Sequence, residues 1–265
     1  MREGFFADDS ITRRVNRENI LLLGGGRALL MQLAHPRVAQ GVAEHSDFRK
    51  DPIRRLRRTI RMTMAIVFGD RETALEAART VNQAHARVRG SGYRALDPEL
   101  LLWVHATLAD TALVTYETFV KRLAPRERED FYQEFQLMSV MLGIPRERFP
   151  RTLRDFDAYV DQMMSSGTVR VGRRARELAG HILRPPLRLL PGPAMIPLEI
   201  ITTGLLPATL RAQYGLAWGR SQQSAYRIAT LTLPRMVALT PPVIRVWPLP
   251  GRTLRLTPGG RAVTS

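Results

Sequence analysis

The chain has 265 residues, 45% of them hydrophobic, enough for a sizeable core and close to the length at which single cores begin to split. It contains no cysteine, which excludes disulfides, iron–sulfur clusters, thiolate-ligated cofactors and cysteine-based zinc sites, so metal chemistry must run through histidine or carboxylates. The net charge is +16, but only Lys50 and Lys121 among the 40 basic residues are lysine, and the arginines are interleaved with Asp and Glu along the whole chain.

That spread differs from the clustered basic face of a nucleic-acid reader, so no specific nucleic-acid partner is expected. Peripheral contact with an anionic membrane is an equal use of the charge. The stretch from Met1 to Asn19 has no apolar core of a secretory signal, and no window approaches 18 uncharged apolar residues, which points to the cytoplasm.

Helical signals dominate in chain order. Gly24-Gly25-Gly26 precedes Arg27 to Ala34, a run that Pro36 should end or kink. Glycines before a helix can cradle a phosphate. Here neither a strand, a Walker lysine nor a GxGxxG spacing accompanies them, so close packing or a turn is expected.

Asp51-Pro52 opens a helix over Ile53 to Phe68 that Gly69 stops. The next spans Glu72 to Arg89, with Leu75, Ala78, Val81, His85 and Val88 on one face and Gly90 at its end. Asp97-Pro98-Glu99 is an N-cap, a first-turn proline and an acidic first turn, opening a helix to about Leu123. Its apolar residues surround the axis, as in a helix buried on all sides.

Further helices are predicted from Pro125 to about Leu142, from Leu153 to Met164 and, with breaks, from Leu205 to Leu239. A turn is predicted at Pro145 to Phe149. Prolines cluster at Pro185, Pro186, Pro191, Pro193 and Pro197, and Pro241 to Ser265 should be irregular or a short hairpin. The pattern predicts an all-α single helical domain of about eight to eleven helices with a Pro-rich, partly irregular C-terminal extension. The boundaries are 1–216 for the helical domain and 217–265 for an extension packed on it. Leu205, Leu206, Leu210, Tyr214 and Leu216 are expected to cover the core, because Pro207 and Gly215 break the continuous face a membrane-surface helix needs.

The five histidines are His35, His45, His85, His105 and His181. His85 and His105 fall on apolar faces of successive helices, and His35 and His45 fall in a preceding loop. A histidine on such a face either satisfies its ring nitrogens locally or spends one on a ligand. Neither HExxH nor His-x-His occurs, and a diiron bundle would need Glu-x-x-His on two helices, which is also missing. A histidine-ligated haem in an apolar helical interior is the chemistry best suited to what remains.

Five blocks then occur in order: Leu33-Ala34-His35-Pro36, Gly41-Val42-Ala43-Glu44-His45-Ser46, Arg55-Leu56-Arg57-Arg58-Thr59, Ala84-His85-Ala86-Arg87-Val88-Arg89-Gly90 and Leu101-Leu102-Trp103-Val104-His105-Ala106. Together they resemble the MpaB/rubber oxygenase catalytic domain. That family includes the latex clearing proteins of rubber-degrading actinobacteria and the fungal oxygenase of mycophenolic acid biosynthesis. The likeness runs from about Asn19 to Leu216.

The resemblance implies an all-helical fold, haem b as the iron cofactor, and dioxygen used on hydrophobic substrates, isoprenoids included, by oxidative cleavage or oxygenation. It implies His85 as the proximal iron ligand, with His105 as the rival ligand or a packed core histidine beneath the haem. The distal Arg-x-x-Lys-Thr block of the latex clearing proteins corresponds to Arg55, Arg58 and Thr59, which places Arg58 and Thr59 in the catalytic role and Arg55 beside the cofactor. At Arg58 the chain departs from the pattern: a protonated guanidinium has no lone pair for iron, and is left to pair with a propionate or to donate to bound oxygen. A non-catalytic haem- or lipid-binding helical protein is the alternative function.

Overall fold

In the computed structural model, which describes residues 3–45, 52–185 and 195–247, helix follows helix. The first part comprises α1 (Ile11–Asn16), a 3-10 turn (Asn19–Gly24), α2 (Gly25–Leu33), α3 (Pro36–His45), α4 (Pro52–Phe68) and α5 (Arg71–Ala86). A two-stranded hairpin, β1 (Arg89–Gly90) and β2 (Tyr93–Arg94), separates these from α6 (Pro98–Phe119), α7 (Pro125–Met141) and α8 (Leu153–Ser165). The remainder is α9 (Arg173–Leu183), α10 (Ile196–Leu205), α11 (Ala208–Tyr214), α12 (Arg220–Leu239) and α13 (Pro242–Arg245). The fold is all-α. The described residues hold thirteen α-helices, more than the eight to eleven expected, because pieces as short as α1, α11 and α13 leave almost no periodic pattern.

Helix α6 is the axle. Asp97 caps it, its carboxylate accepting from the Glu99 amide at 3.0 Å, and Pro98 occupies the first turn. Its apolar residues serve four separate clusters. Ala106, Ala109, Leu113 and Tyr116 face α1, α4, α5 and α7, while Trp103 faces α2, α9 and α11. Leu101 and Leu102 pack on Ile144 and Phe149, and Phe119 packs on α10. Trp103 is fully buried, and its indole donates to the Met31 carbonyl at 3.3 Å.

The turn into α2 lies against this axle closely enough that a Cβ on Gly24 would come 2.3 Å from Thr115 Oγ1, and α2 itself lies so close to α10 that one on Gly26 would come 2.6 Å from Thr202 Oγ1. The glycine run is therefore a packing device, as its sequence surroundings predicted. Between these contacts Arg27 is buried, donating to the Leu205 carbonyl at 2.8 Å, to Thr111 Oγ1 at 2.6 Å and to Asp110 Oδ2 at 2.7 Å. One side chain thus ties α2 to α6 and α10.

Leu205, Leu206, Leu210 and Tyr214 are buried, and the Tyr214 hydroxyl donates to the Leu30 carbonyl at 2.7 Å, so this segment covers the core as expected. Past it, α12 packs Tyr226, Ala229 and Leu233 beside Ile201 and Leu205 of α10. Of the segment from Pro241 to Ser265, expected to be irregular or a hairpin, only the part up to Trp247 lies among the described residues. Pro242–Arg245 forms a helical turn, and Arg245 grips Glu18 through two hydrogen bonds of 2.8 and 2.9 Å. Pro186, Pro191, Pro193 and residues 248–265 lie outside the described residues. No helix among the described residues is long and apolar enough to cross a membrane.

Two expectations about the histidine-bearing region are corrected. His45 closes α3 rather than lying in a loop, since Pro36 starts a new helix at its first position, where its missing N–H is no loss. Helix α5 stops at Ala86, so Val88 lies outside it, and Leu75 is 40% exposed. The buried face of α5 is Ala74, Ala77 and Ala78, whose small side chains pack against the core. The chain leaves this helix through the hairpin, whose turn holds Gly92 at φ +81°, a conformation glycine adopts without strain.

Candidate functional site

A cavity of about 860 Å³ opens between α3, α4, α5 and the N-terminal half of α6. That volume lies within the range of small-molecule and cofactor sites. Its apolar wall is Val38 and Val42 from α3, Val88 after α5, and Leu100, Leu101 and Val104 from α6. The facing wall is α4, from which Arg54, Arg55, Arg57, Arg58 and Arg61 reach the lining, and Arg37 joins them from α3.

His85 projects into this cavity from the last turn of α5. Burial holds its imidazole below the usual histidine range, and the guanidiniums of Arg58 and then Arg55 push it further down. The ring is therefore neutral near pH 7 and keeps a lone pair, the form a metal ligand requires. Among the described residues, Nδ1 of His85 is buried without a hydrogen-bond partner. An orphaned nitrogen of this kind costs about 1–3 kcal/mol unless a ligand or water takes it up.

His105 stands elsewhere. It lies in the core of α6, outside the cavity lining, with Nδ1 2.8 Å from Ser139 Oγ. The Ser139 hydroxyl donates to the Phe135 carbonyl at 3.0 Å, so His105 Nδ1–H is the donor to Oγ. Burial pushes its pKa down to about 3, with His85 contributing. It is a packed core histidine, edge-on to Phe135 at 6.2 Å between ring centroids.

Arg55 and Arg58 line the cavity. Thr59 does not: it is exposed, and its hydroxyl donates back to the Arg55 carbonyl at 3.1 Å. At the other side His45 Nε2 donates to the Arg89 carbonyl at 3.1 Å, closing α3 onto the hairpin. His35 is half-buried at the α2–α3 junction, and among the described residues its Nδ1 has no hydrogen-bond partner. Ser46, the last residue of the second block, lies outside the described residues.

Tyr93 is a lining residue that the sequence pattern did not single out. Its hydroxyl donates to Glu44 at 2.5 Å, and burial together with that carboxylate pushes the phenol up to about 12. Its ring explains two glycines of the sequence blocks. A Cβ on Gly90 would come 2.6 Å from the ring and one on Gly41 3.1 Å, so both glycines clear the space the aromatic fills. The spacing of Arg54, Arg57, Arg58 and Arg61 was legible as one helical face, but which way that face looks was not.

Among the described residues no three His, Asp or Glu side chains group so as to hold an ion on their own. The fold and site define an all-helical protein with a mixed apolar and cationic cavity that the neutral His85 enters. The model of the ER-bound oxygenase MpaB/B′ and rubber oxygenase catalytic domain matches residues 12–235, and the chain belongs to that family. The match reaches through most of α12, further than the likeness read from the blocks. The chain is also 29% identical to an uncharacterised protein of Mycobacterium bovis over 212 residues, which span 75% of this chain and 81% of that one. An uncharacterised protein of Mycobacterium tuberculosis matches with the same identity and coverage. No solved structure matches the chain.

Proposed function

We propose that this chain is a haem b-dependent oxygenase that uses dioxygen on a hydrophobic substrate, isoprenoids included. The observation that carries the reading is His85, a neutral imidazole with an orphaned buried ring nitrogen on the wall of a cavity half apolar and half guanidinium. Those features fit haem b: a single lone pair for iron, aliphatic side chains for the macrocycle, and arginines for propionate carboxylates. When bound, haem b supplies the iron at which dioxygen is activated.

The chain's own contribution starts with His85, which would hold the iron through a ring-nitrogen lone pair and is kept unprotonated by burial and by Arg58 and Arg55. Those two guanidiniums would hold the propionate carboxylates or donate hydrogen bonds to an anionic oxygen in the cavity. Val42, Val88, Leu100 and Val104 exclude water from the apolar side and give the substrate its place.

Absorption spectroscopy of the purified protein tests the reading. A Soret band is expected, His85→Ala should abolish it, and His105→Ala should keep it. Oxygen consumption with an isoprenoid substrate, lost with His85→Ala, is expected of an oxygenase. A purified protein without any Soret band after haem reconstitution would overturn the proposal.

A further inference from the structure

Helix α12 is apolar on both of its sides, and only one of them is covered. On the inner side Tyr226, Ala229 and Leu233 pack with Phe119, Ile201 and Leu205. A Cβ on Gly204 would come 2.2 Å from the Tyr226 ring, so this glycine lets α12 seat closely on α10 and fixes which side faces out. On the outer side Ile228, Leu231, Arg235 and Leu239 recur at steps of three and four residues and line one face. Ile228, Leu231, Met236 and Leu239 are between 52% and 85% exposed. The hydroxyls of Thr232 and Thr240 are spent on the Ile228 and Met236 carbonyls, at 2.9 and 2.7 Å, which lowers the polarity of this side further. An exposed apolar stripe of this kind marks an interaction surface.

Charge says what the stripe meets. No Asp or Glu follows Glu199 in the sequence, whereas arginine recurs from Arg211 to Arg261. Two of these arginines are engaged: Arg211 stacks on Trp218, 4.4 Å from the ring centroid, and Arg245 pairs with Glu18. Arg220, Arg227 and Arg235 of α12 have no carboxylate partner among the described residues. Arg235 does donate to the Leu231 carbonyl of its own helix, a bond that leaves its charge without a counter-ion. An apolar stripe edged by such arginines matches a bilayer with anionic headgroups, where the aliphatic side chains enter the acyl boundary and the guanidiniums reach phosphates on their long stems. A second copy of the chain fits worse. A two-fold interface sets a patch against itself, and this patch has cations with no carboxylate to oppose them. A nucleic acid would use the arginines and leave the aliphatic residues in water. We infer that the outer face of α12 docks this protein on the surface of an anionic phospholipid bilayer, with Ile228, Leu231 and Leu239 entering the interface and Arg227 and Arg235 holding headgroup phosphates. This goes beyond the oxygenase reading and stands independently of it.

The test is cosedimentation of the purified full chain with vesicles of phosphatidylcholine alone or with roughly a third phosphatidylglycerol. Binding to the anionic vesicles should be at least about tenfold tighter than to the neutral ones and should weaken with added salt. Leu231→Gln/Leu239→Gln and Arg227→Gln/Arg235→Gln exchange exposed residues for another good helix former, so circular dichroism should stay unchanged. Each pair should lose about tenfold in affinity for the anionic vesicles. Because the chain has no cysteine, Leu239→Cys can carry a single environment-sensitive fluorophore, whose emission should shift to the blue on binding. The same label at Arg126→Cys, on the exposed start of α7, should not shift. Equal binding to both vesicle types, or to neither, would overturn the inference. So would either double variant keeping full affinity, or labels at the two positions responding alike. A homodimer in sedimentation velocity that Leu231→Gln/Leu239→Gln dissociates, from a protein that ignores vesicles, would assign the face to a second copy and also overturn it.

Discussion

Arg27 offers the sharpest test of how the fold is held. Its guanidinium is 5% exposed and its three hydrogen bonds reach two other helices, ending on Asp110, whose side chain is 22% exposed. Arg27→Met keeps most of the volume and removes the charge, leaving Asp110 without its partner and the Leu205 carbonyl and Thr111 hydroxyl without a donor. Breaking a buried pair from one side costs about 3–5 kcal/mol. Because Asp110 can draw on water, about 2–3 kcal/mol is expected here. For a chain of this size that corresponds to a fall in Tm of about 4–12 °C, measured by differential scanning calorimetry. Arg27→Met/Asp110→Leu removes both charges and should recover at least about 1 kcal/mol of the loss, the coupling expected of two groups in direct contact. A single variant within about 2 °C of the parent, or a double variant no more stable than the single, would refute the view that this pair joins α2 to α6.

Acid should destabilise the protein through its buried imidazoles. His105 has a folded pKa of about 3 against 6.5 when unfolded, and His85 and His35 are shifted downward as well, so the unfolded chain binds more protons between those values. Stability should rise with pH across that window and be lost as pH falls below about 6.5; His105→Gln should flatten the slope in urea titrations at pH 4 to 7, and an unchanged slope would refute the assignment. Gly90→Ala should displace the Tyr93 ring and cost about 1–3 kcal/mol, with part of the loss recovered by Gly90→Ala/Tyr93→Leu; equal stability of Gly90→Ala and parent in denaturant melts would contradict the close approach. Thr59→Ala, at an exposed site bonded only within its own helix, should change stability by less than about 0.5 kcal/mol. A larger loss in the same melts would mean that Thr59 has a partner its position on α4 does not provide.

The sequence by itself determined the helical class, because periodicity, proline and caps act over a few residues and need no partner: Asp97-Pro98-Glu99 starts α6 wherever that helix packs. It also determined that α6 is buried on most sides, since apolar residues run around its axis, with Leu108 left exposed. The histidine and arginine blocks carried the family, and His85, Arg55 and Arg58 do share one cavity. Tertiary structure decided what depends on distant partners. His85 and His105 look alike on a helical wheel, yet one meets a cavity and the other meets Ser139, 34 residues away. Leu75 lost its expected place to three alanines because their small side chains fit the closely packed buried face of α5. The burial of Arg27, on a short glycine-led helix, follows from Asp110, 83 residues on, which lies within 2.7 Å of it. The direction of the arginine stripe on α4 likewise follows from where α3 and α6 stand, since helical spacing specifies a face but not what that face meets.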